Sequence, residues 1–370
     1  MSFQLDIREG RIPCRGVNLG GWLVAEHWIT WDAPLWKDVP SEIIGKGEFA
    51  LMQHLGHEEG DLRFHNHRST WITVDDIKEI KQRGLNTVRV PVGFWIIGYD
   101  PADDTNSKQC EAFAPNSLCF LDLLINDWCL RYKIAVIVDI HAAKGSQNGM
   151  EHSTPREYGK CCWTESPENV KNTLHVSQML CSRYRFSPAF LGLGLLNAPT
   201  HPLDPTKAKD YYRRAYHAIR SSGNDCILTV SSVLLEQRQA HFHDIVDPLD
   251  SKDDYFNVWV DWHPYYAWGF NKCFESEITA AVEECEKIVR RWKGNQLIFG
   301  EWSLGAPQCI GIGREKLQRF AEAQIKAFNN RRNSAGWIFW TWKHSSDAQV
   351  DLCPWSMRQL LREEILHVPA

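Results

Sequence analysis

Eight short apolar or β-branched runs, separated by longer amphipathic or turn-rich stretches, constrain this chain more tightly than any single residue. They are Arg15–Asn18, Thr87–Val90, Ala135–Ile140, Leu191–Leu196, Ile227–Ser231, Asn257–Asp261, Leu297–Gly300 and Gly336–Trp340. Short, nearly continuous apolar runs read as strands buried on both faces, and buried strands alternating with helices imply a parallel sheet. A count of eight predicts an α/β fold closed as a (β/α)8 TIM barrel. A doubly wound sheet is the competing architecture, but no G-x-G-x-x-G follows the first run. No repeat, low-complexity tract or Gly/Ser linker interrupts the 370 residues. One domain spanning residues 1–370 is therefore expected.

Helix signals fit between the runs. Thr73 is a suitable N-cap for Val74–Arg83, and Gly84 a suitable stop. Ser166-Pro167-Glu168 puts proline at the first position of a helix continuing to Arg185. Leu317, Phe320, Ala321, Ile325 and Phe328 recur at helical spacing within Arg314–Asn330, which predicts an outer-ring helix with one core-facing stripe.

Composition excludes several function classes. A net charge of −5 with no long Lys/Arg block argues against a nucleic-acid or anionic-membrane partner. No apolar run approaches the length of a membrane span, and Met1-Ser2-Phe3-Gln4-Leu5 lacks the basic and apolar regions of a signal peptide. The compartment stays open, and a monomer is expected. The 12 cysteines are irregularly spaced, as in Cys110/Cys119/Cys129, Cys161-Cys162 and Cys273/Cys285/Cys309, with no paired C-x-x-C. Buried thiols with one or two bridges are expected rather than a zinc site. The 17 tryptophans fit either a barrel core or a carbohydrate site, since indole stacks on the C–H face of a pyranose.

Polar or aromatic residues close at least seven of the runs: Asn18, Arg89, Asp139 with His141, Asn197, Asp261 with His263, Glu301, and Trp340 to Lys343. In a barrel, that C-terminal rim carries the active site. Retaining cleavage of a glycosidic bond needs a nucleophilic carboxylate about 5–5.5 Å from a second carboxyl that serves as acid and then base. Glu301 ends an apolar run abruptly, where a buried carboxylate requires partners, and it fits the nucleophile.

Longer motifs agree. Arg15 to Val24 with Glu26, Trp28, Ile29 and Thr30, then Asn86 to Gly93, Asp139 to Gly149, Gly300 to Ser303 and Gly336 to Lys343, together resemble the fungal exo-β-1,3-glucanases of glycoside hydrolase family 5. The likeness runs over essentially the whole chain, in order. It implies a barrel, a retaining mechanism, no cofactor or metal, and β-glucan or β-gluco-oligosaccharide as substrate. By resemblance, Glu301 is the nucleophile and Arg89 the arginine that holds it ionised. His141 and Asn197 grip the non-reducing-end glucose, and His263 and Tyr265 follow the sixth strand. Glu26 bonds outer sugar hydroxyls, Asn148 is a pocket-rim amide, and Trp342 is the indole floor. Met150 stands where fungal members carry an aromatic, which leaves Trp262, Trp268 and Phe270 as candidates for the leaving-group side.

The second departure is Ala198, in Asn197-Ala198-Pro199, where the family has its acid/base glutamate. Without that group the leaving alkoxide departs unprotonated, a loss of about 10²–10⁴-fold, while ground-state sugar binding is kept. A deliberate Glu→Ala replacement accounts for every other position being intact. A natural pseudoenzyme that binds β-glucan without hydrolysis would be expected to have drifted elsewhere too. A member specific for steryl or β-1,6-linked glucosides keeps the chemistry and changes the substrate.

Overall fold

Eight parallel strands close on themselves in a computed structural model that describes residues 3–98, 110–234, 245–250, 252–270, 274–306, 313–348 and 352–369. They are β1 (Cys14–Asn18), β2 (Thr87–Gly93), β3 (Ala135–Ala142), β4 (Phe190–Gly194), β5 (Ile227–Ser231), β6 (Val258–Asp261), β7 (Gln296–Phe299) and β8 (Ser334–Phe339). Each pairs with its sequence neighbours, and β8 returns to β1 through Cys14↔Gly336 to Val17↔Phe339. All eight expected strands are present and the barrel is a (β/α)8 barrel. Boundaries differ most at β2, which continues past Val90 to Gly93, and β4 ends at Gly194, so that Leu195 and Leu196 lie beyond the ladder. There Leu195 still donates to Thr229 O, and Asn197 reaches back to Ile140 O.

The helices begin where local chemistry dictates. In Val74–Gln82 the Thr73 amide donates to Asp76 Oδ2 at 2.9 Å, and Gly84 follows with φ 84°. Pro167–Tyr184 has proline in its first turn, and the Ser166 side chain accepts from Glu168 N. Arg314–Phe328 buries Leu317, Phe320, Ala321, Ile325 and Phe328, the expected stripe. Sequence reading did not isolate the long Glu48–Thr70 helix, because its apolar residues trace no clear stripe and Gly56 (φ 69°) breaks it. It buries charge beside Leu51, Met52 and Phe64: Glu48 accepts from Ala25 N, and Arg68 donates to the carbonyls of Ala114 and Pro115.

Inside the barrel two layers differ in chemistry. The lower one is apolar: Cys14, Ala135, Ile137, Leu191, Ile227, Trp259, Ile298 and Ile338 pack together, and Ile7 of the short Phe3–Arg8 helix joins them from the chain start. The upper layer holds Asn18, Arg89, Asp139 and Asp261, all buried. Two glycines make room for its carboxylates. A Cβ at Gly194 would collide with Asp139 Oδ1, and one at Gly300 with Asp261 Oδ1. Every cysteine in the described residues is a free thiol, so the expected bridges are absent there; Cys273 and Cys309 lie outside them. Cys181 Sγ and Cys226 Sγ lie 3.8 Å apart, well beyond a bond. No helix among the described residues is long and apolar enough to cross a membrane.

Overpacking the upper layer is the fold's direct vulnerability. Gly194→Ala is expected to lower the unfolding free energy by about 1–3 kcal/mol, because the neighbouring Asp139 is itself pinned and cannot yield. Denaturant unfolding checks this, and a loss below about 0.5 kcal/mol would contradict the packing described.

Candidate active site

Arg89 organises the rim. It leaves the inner face of β2, is buried, and its guanidinium meets residues on or just beyond five other strands. Nη1 donates to Glu301 Oε1 at 2.8 Å and to Asn18 Oδ1 at 3.0 Å. Nη2 donates to Asn197 Oδ1 at 2.8 Å, lies 2.9 Å from Asp139 Oδ1 and 3.5 Å from Asp261 Oδ2. One cation thus faces three carboxylates, and burial makes each pairing matter.

Those carboxylates do not behave alike. Burial pushes Asp139 up to about 6 despite Arg89, with the Asp261 charge adding to the push. Burial also opposes the charge on Asp261, but His263, Arg89 and the Gly300 amide outweigh it and hold this group below its ordinary value. Glu301 follows the same logic. Burial raises it, the charges of His263 and Arg89 and the Tyr265 hydroxyl lower it, and the net is a carboxylate more acidic than an ordinary glutamate. Tyr265 Oη donates to Glu301 Oε2 at 2.8 Å, and burial keeps that hydroxyl protonated. His263 bridges two carboxylates, with Nε2 3.2 Å from Asp261 Oδ1 and Nδ1 3.6 Å from Glu301 Oε2. Its pKa is raised by Glu301 and Asp261 against the opposing effect of burial.

The other walls are hydrogen-bonded or aromatic. His141 holds Asp139 Oδ2 through Nδ1 at 2.8 Å, and its Nε2 lies 3.4 Å from Asn197 Nδ2. Burial depresses the His141 pKa to about 3, so its ring is neutral. Gln147 ties the ends of β3 and β4, donating to His141 O at 2.8 Å and Asn197 O at 2.9 Å. Asn148 donates to Ala198 O at 3.1 Å. Ala198 has φ 40°, in the left-handed region that disfavours a side chain by roughly 1–2 kcal/mol. Glu26 is buried; its Oε2 accepts from Trp28 Nε1 at 2.9 Å, and its Oε1 has no hydrogen-bond partner among the described residues. Burial and then the nearby Glu151 raise its pKa well above the carboxylate range.

Trp342 does not join this cluster, which corrects the expectation drawn from resemblance. Its indole is fully buried and Nε1 donates to Asp76 Oδ1 at 2.9 Å, so it lies between the barrel and the Val74–Gln82 helix. The register misleads because β8 ends at Phe339, and a buried carboxylate on the outer helix draws the indole N–H outward. Trp340 takes the inner place, its ring 5.3 Å from that of His141 and only 2° from parallel. Among the three aromatics considered for the leaving-group side, Trp262 packs on Phe299 and Phe270 packs on Tyr266. Trp268 alone stays exposed, at 38 %, with its ring edge-on to Tyr265 at 5.2 Å.

Sequence reading also passed over Asn18 as a partner of Arg89 and His152 as a neighbour of His141, 5.2 Å away between ring centres. Asn18 was visible as a polar strand end. His152 has no spacing that marks it. Among the described residues, no group of three or more His, Cys, Asp or Glu side chains is placed to hold a metal ion. What the arrangement can do is hold one ionised, oriented carboxylate at the bottom of a polar and aromatic pocket.

Comparison with known proteins agrees with this geometry. The chain is 28% identical over 404 residues to a glucan 1,3-beta-glucosidase of Pichia angusta, covering 96% of this chain and 86% of that protein. It is 28% identical over 398 residues to one of Blumeria graminis, covering 96% and 87%. Among solved structures, the rutinosidase of Aspergillus niger superposes with a TM-score of 0.73 at 19% identity, covering 99% of both chains. The endoglucanase of Thermotoga maritima does so with 0.58 at 15%, covering 99% of this chain and 100% of that one; both are likenesses of fold. The family model "Cellulase (glycosyl hydrolase family 5)" matches residues 53–346, and the chain belongs to that family.

Proposed function

We propose that this is the site of a retaining, exo-acting β-glucosidase for β-1,3-glucan or short β-glucosides, left without its general acid/base at Ala198. The observation that carries the reading is Glu301, held between Arg89 and Tyr265 with its pKa lowered. A nucleophile must be ionised and aimed, and this carboxylate meets both demands. The named relatives, glucan 1,3-beta-glucosidases matched over 96% of the chain, support glucan as substrate.

In this reading Glu301 attacks the anomeric carbon and His141, Asn197 and Glu26 bind sugar hydroxyls. Trp340, in place of Trp342, forms the floor, and Asn148 lines the rim. Tyr265 and His263 orient the nucleophile. Departure of the first sugar oxygen and activation of water would both fall to a carboxyl at position 198, where a methyl group stands instead. Binding is kept and turnover of unactivated glucosides is largely lost. No metal or cofactor enters, and the chain works as a monomer.

Restoring the missing group is the decisive change. Ala198→Glu is expected to raise glucose release from laminari-oligosaccharides by about 10²–10⁴-fold over the present chain. Oligosaccharide binding with no turnover in that variant would instead favour a carbohydrate-binding protein. On the unaltered chain, an activated aryl β-glucoside with added azide should give β-glucosyl azide, the product of two inversions at C1. An α-azide, or none, counts against Glu301.

The pH dependence has a definite sign. Because Glu301 lies below its ordinary value, phenol release from an activated glucoside should persist into acid and fall only as Glu301 is protonated. Tyr265→Phe removes a hydrogen bond to the ionised form, so this acid limb should move to higher pH. A limb that stays put or moves lower would contradict the assigned role of Tyr265.

A further inference from the structure

Asn148 fixes the protonation pattern of a residue beside the empty acid position. Its Oδ1 accepts from Met150 N–H at 3.0 Å, while its Nδ2 donates to Ala198 O at 3.1 Å. A backbone donor on one side and a backbone acceptor on the other leave a single orientation for the amide. Reversed, it would set oxygen against carbonyl and NH₂ against N–H. The same Nδ2 lies 3.0 Å from His152 Nε2. Since Nδ2 has only hydrogens to offer, Nε2 accepts, and the single proton of the neutral imidazole resides on Nδ1.

His152 is well placed to use that proton. Its ring lies 5.2 Å from His141, whose own Nε2 faces Asn197, the neighbour of Ala198. The Asn148 amide that bonds its Nε2 also bonds Ala198 O, which ties the ring to position 198. The His152 side chain is half-buried, and the contact on its ring nitrogens among the described residues is the one at Nε2. Burial, then His141, lower the pKa of His152 to about 3. The ring therefore stays neutral near pH 7. It cannot act there as a protonated acid, but a neutral imidazole N–H can still polarise an oxygen that gathers charge.

We propose that His152, through its Nδ1–H, is the hydrogen-bond donor to the leaving-group oxygen in this site. The proposal rests on Glu301 being the nucleophile, and it narrows the substrate class to β-glucosides of phenols and other acidic aglycones. The step balances without an internal acid. A Glu301 oxygen bonds to C1 as the C1–O bond breaks, and the electron pair leaves on the aglycone oxygen, which departs as an anion held by Nδ1–H. That anion takes its proton from solvent. Water then adds to C1, freeing the Glu301 carboxylate and returning one proton to solvent.

The test uses the unaltered chain, His152→Phe and His152→Gln with aryl β-glucosides of graded phenol acidity. Both the phenol burst and kcat/KM are followed. Loss of the donor should lower kcat/KM about five- to tenfold for weakly acidic phenols and scarcely at all for dinitrophenol, which steepens the leaving-group dependence. Gln keeps an N–H and should recover part of the loss. An equal fall across the series marks a packing role and overturns the proposal, as does no fall at all. A burst whose leaving-group dependence is unchanged in both variants sinks His152 alone. Absence of any burst in the unaltered chain removes Glu301 as nucleophile and the proposal with it.

Discussion

A single buried guanidinium is the constraint on which the upper half of this barrel depends. Arg89 is in contact with Asn18, Asp139, Asn197, Asp261 and Glu301, residues contributed by or just beyond strands one, three, four, six and seven. Placing a charge there is unfavourable unless its partners are complete, and leaving one partner out of a buried pair typically costs about 3–5 kcal/mol. The glycines at 194 and 300 follow from this, since they yield the space the paired carboxylates occupy. So does the state of Glu301, which stays ionised in a buried position because cationic neighbours and a hydroxyl offset its desolvation.

In the proposed reading, the same network accounts for how a site without a carboxyl at position 198 keeps its other contacts. Ala198 contributes its backbone carbonyl to Asn148, and that contact does not depend on its side chain. Gln147 and Asn148 secure the surrounding loop through main-chain carbonyls. The nucleophile side is held from β2 and by Tyr265 after β6, well apart in sequence from position 198. In the proposed reading, orientation of Glu301 rests on side chains of Arg89 and Tyr265, whereas the contact of Ala198 with Asn148 is made by its backbone.

Much of this was legible in the chain. The strands announce themselves because both faces of a parallel barrel strand are apolar, and the polar residue that closes each run marks the rim. Glu301 stood out as a carboxylate ending an apolar run, and Arg89 as a cation inside one. Trp342 was placed by resemblance, and it lies past the end of β8 at Phe339, where strand geometry no longer fixes which way a side chain faces. Its orientation depends on Asp76, far away in sequence, and no local pattern encodes that contact. The Glu48–Thr70 helix was missed for a related reason: its buried Leu51, Met52 and Phe64 are interspersed with buried Glu48, His67 and Arg68, and Gly56 interrupts the helix, so no continuous apolar stripe appears. His152 carries no signature at all, since its tautomer follows from which end of the Asn148 amide faces Ala198.

The central claim is that Glu301 remains a competent nucleophile although position 198 is alanine. The most direct measurement is the mass of the intact chain and of its peptides after incubation with 2,4-dinitrophenyl 2-deoxy-2-fluoro-β-glucoside, which forms a glycosyl-enzyme with a good leaving group and releases it slowly. One fluoroglucosyl group should accumulate per chain, located on the peptide containing Gly300-Glu301-Trp302, and Glu301→Gln should abolish it. A label on any other residue, or an unmodified chain, would contradict the account.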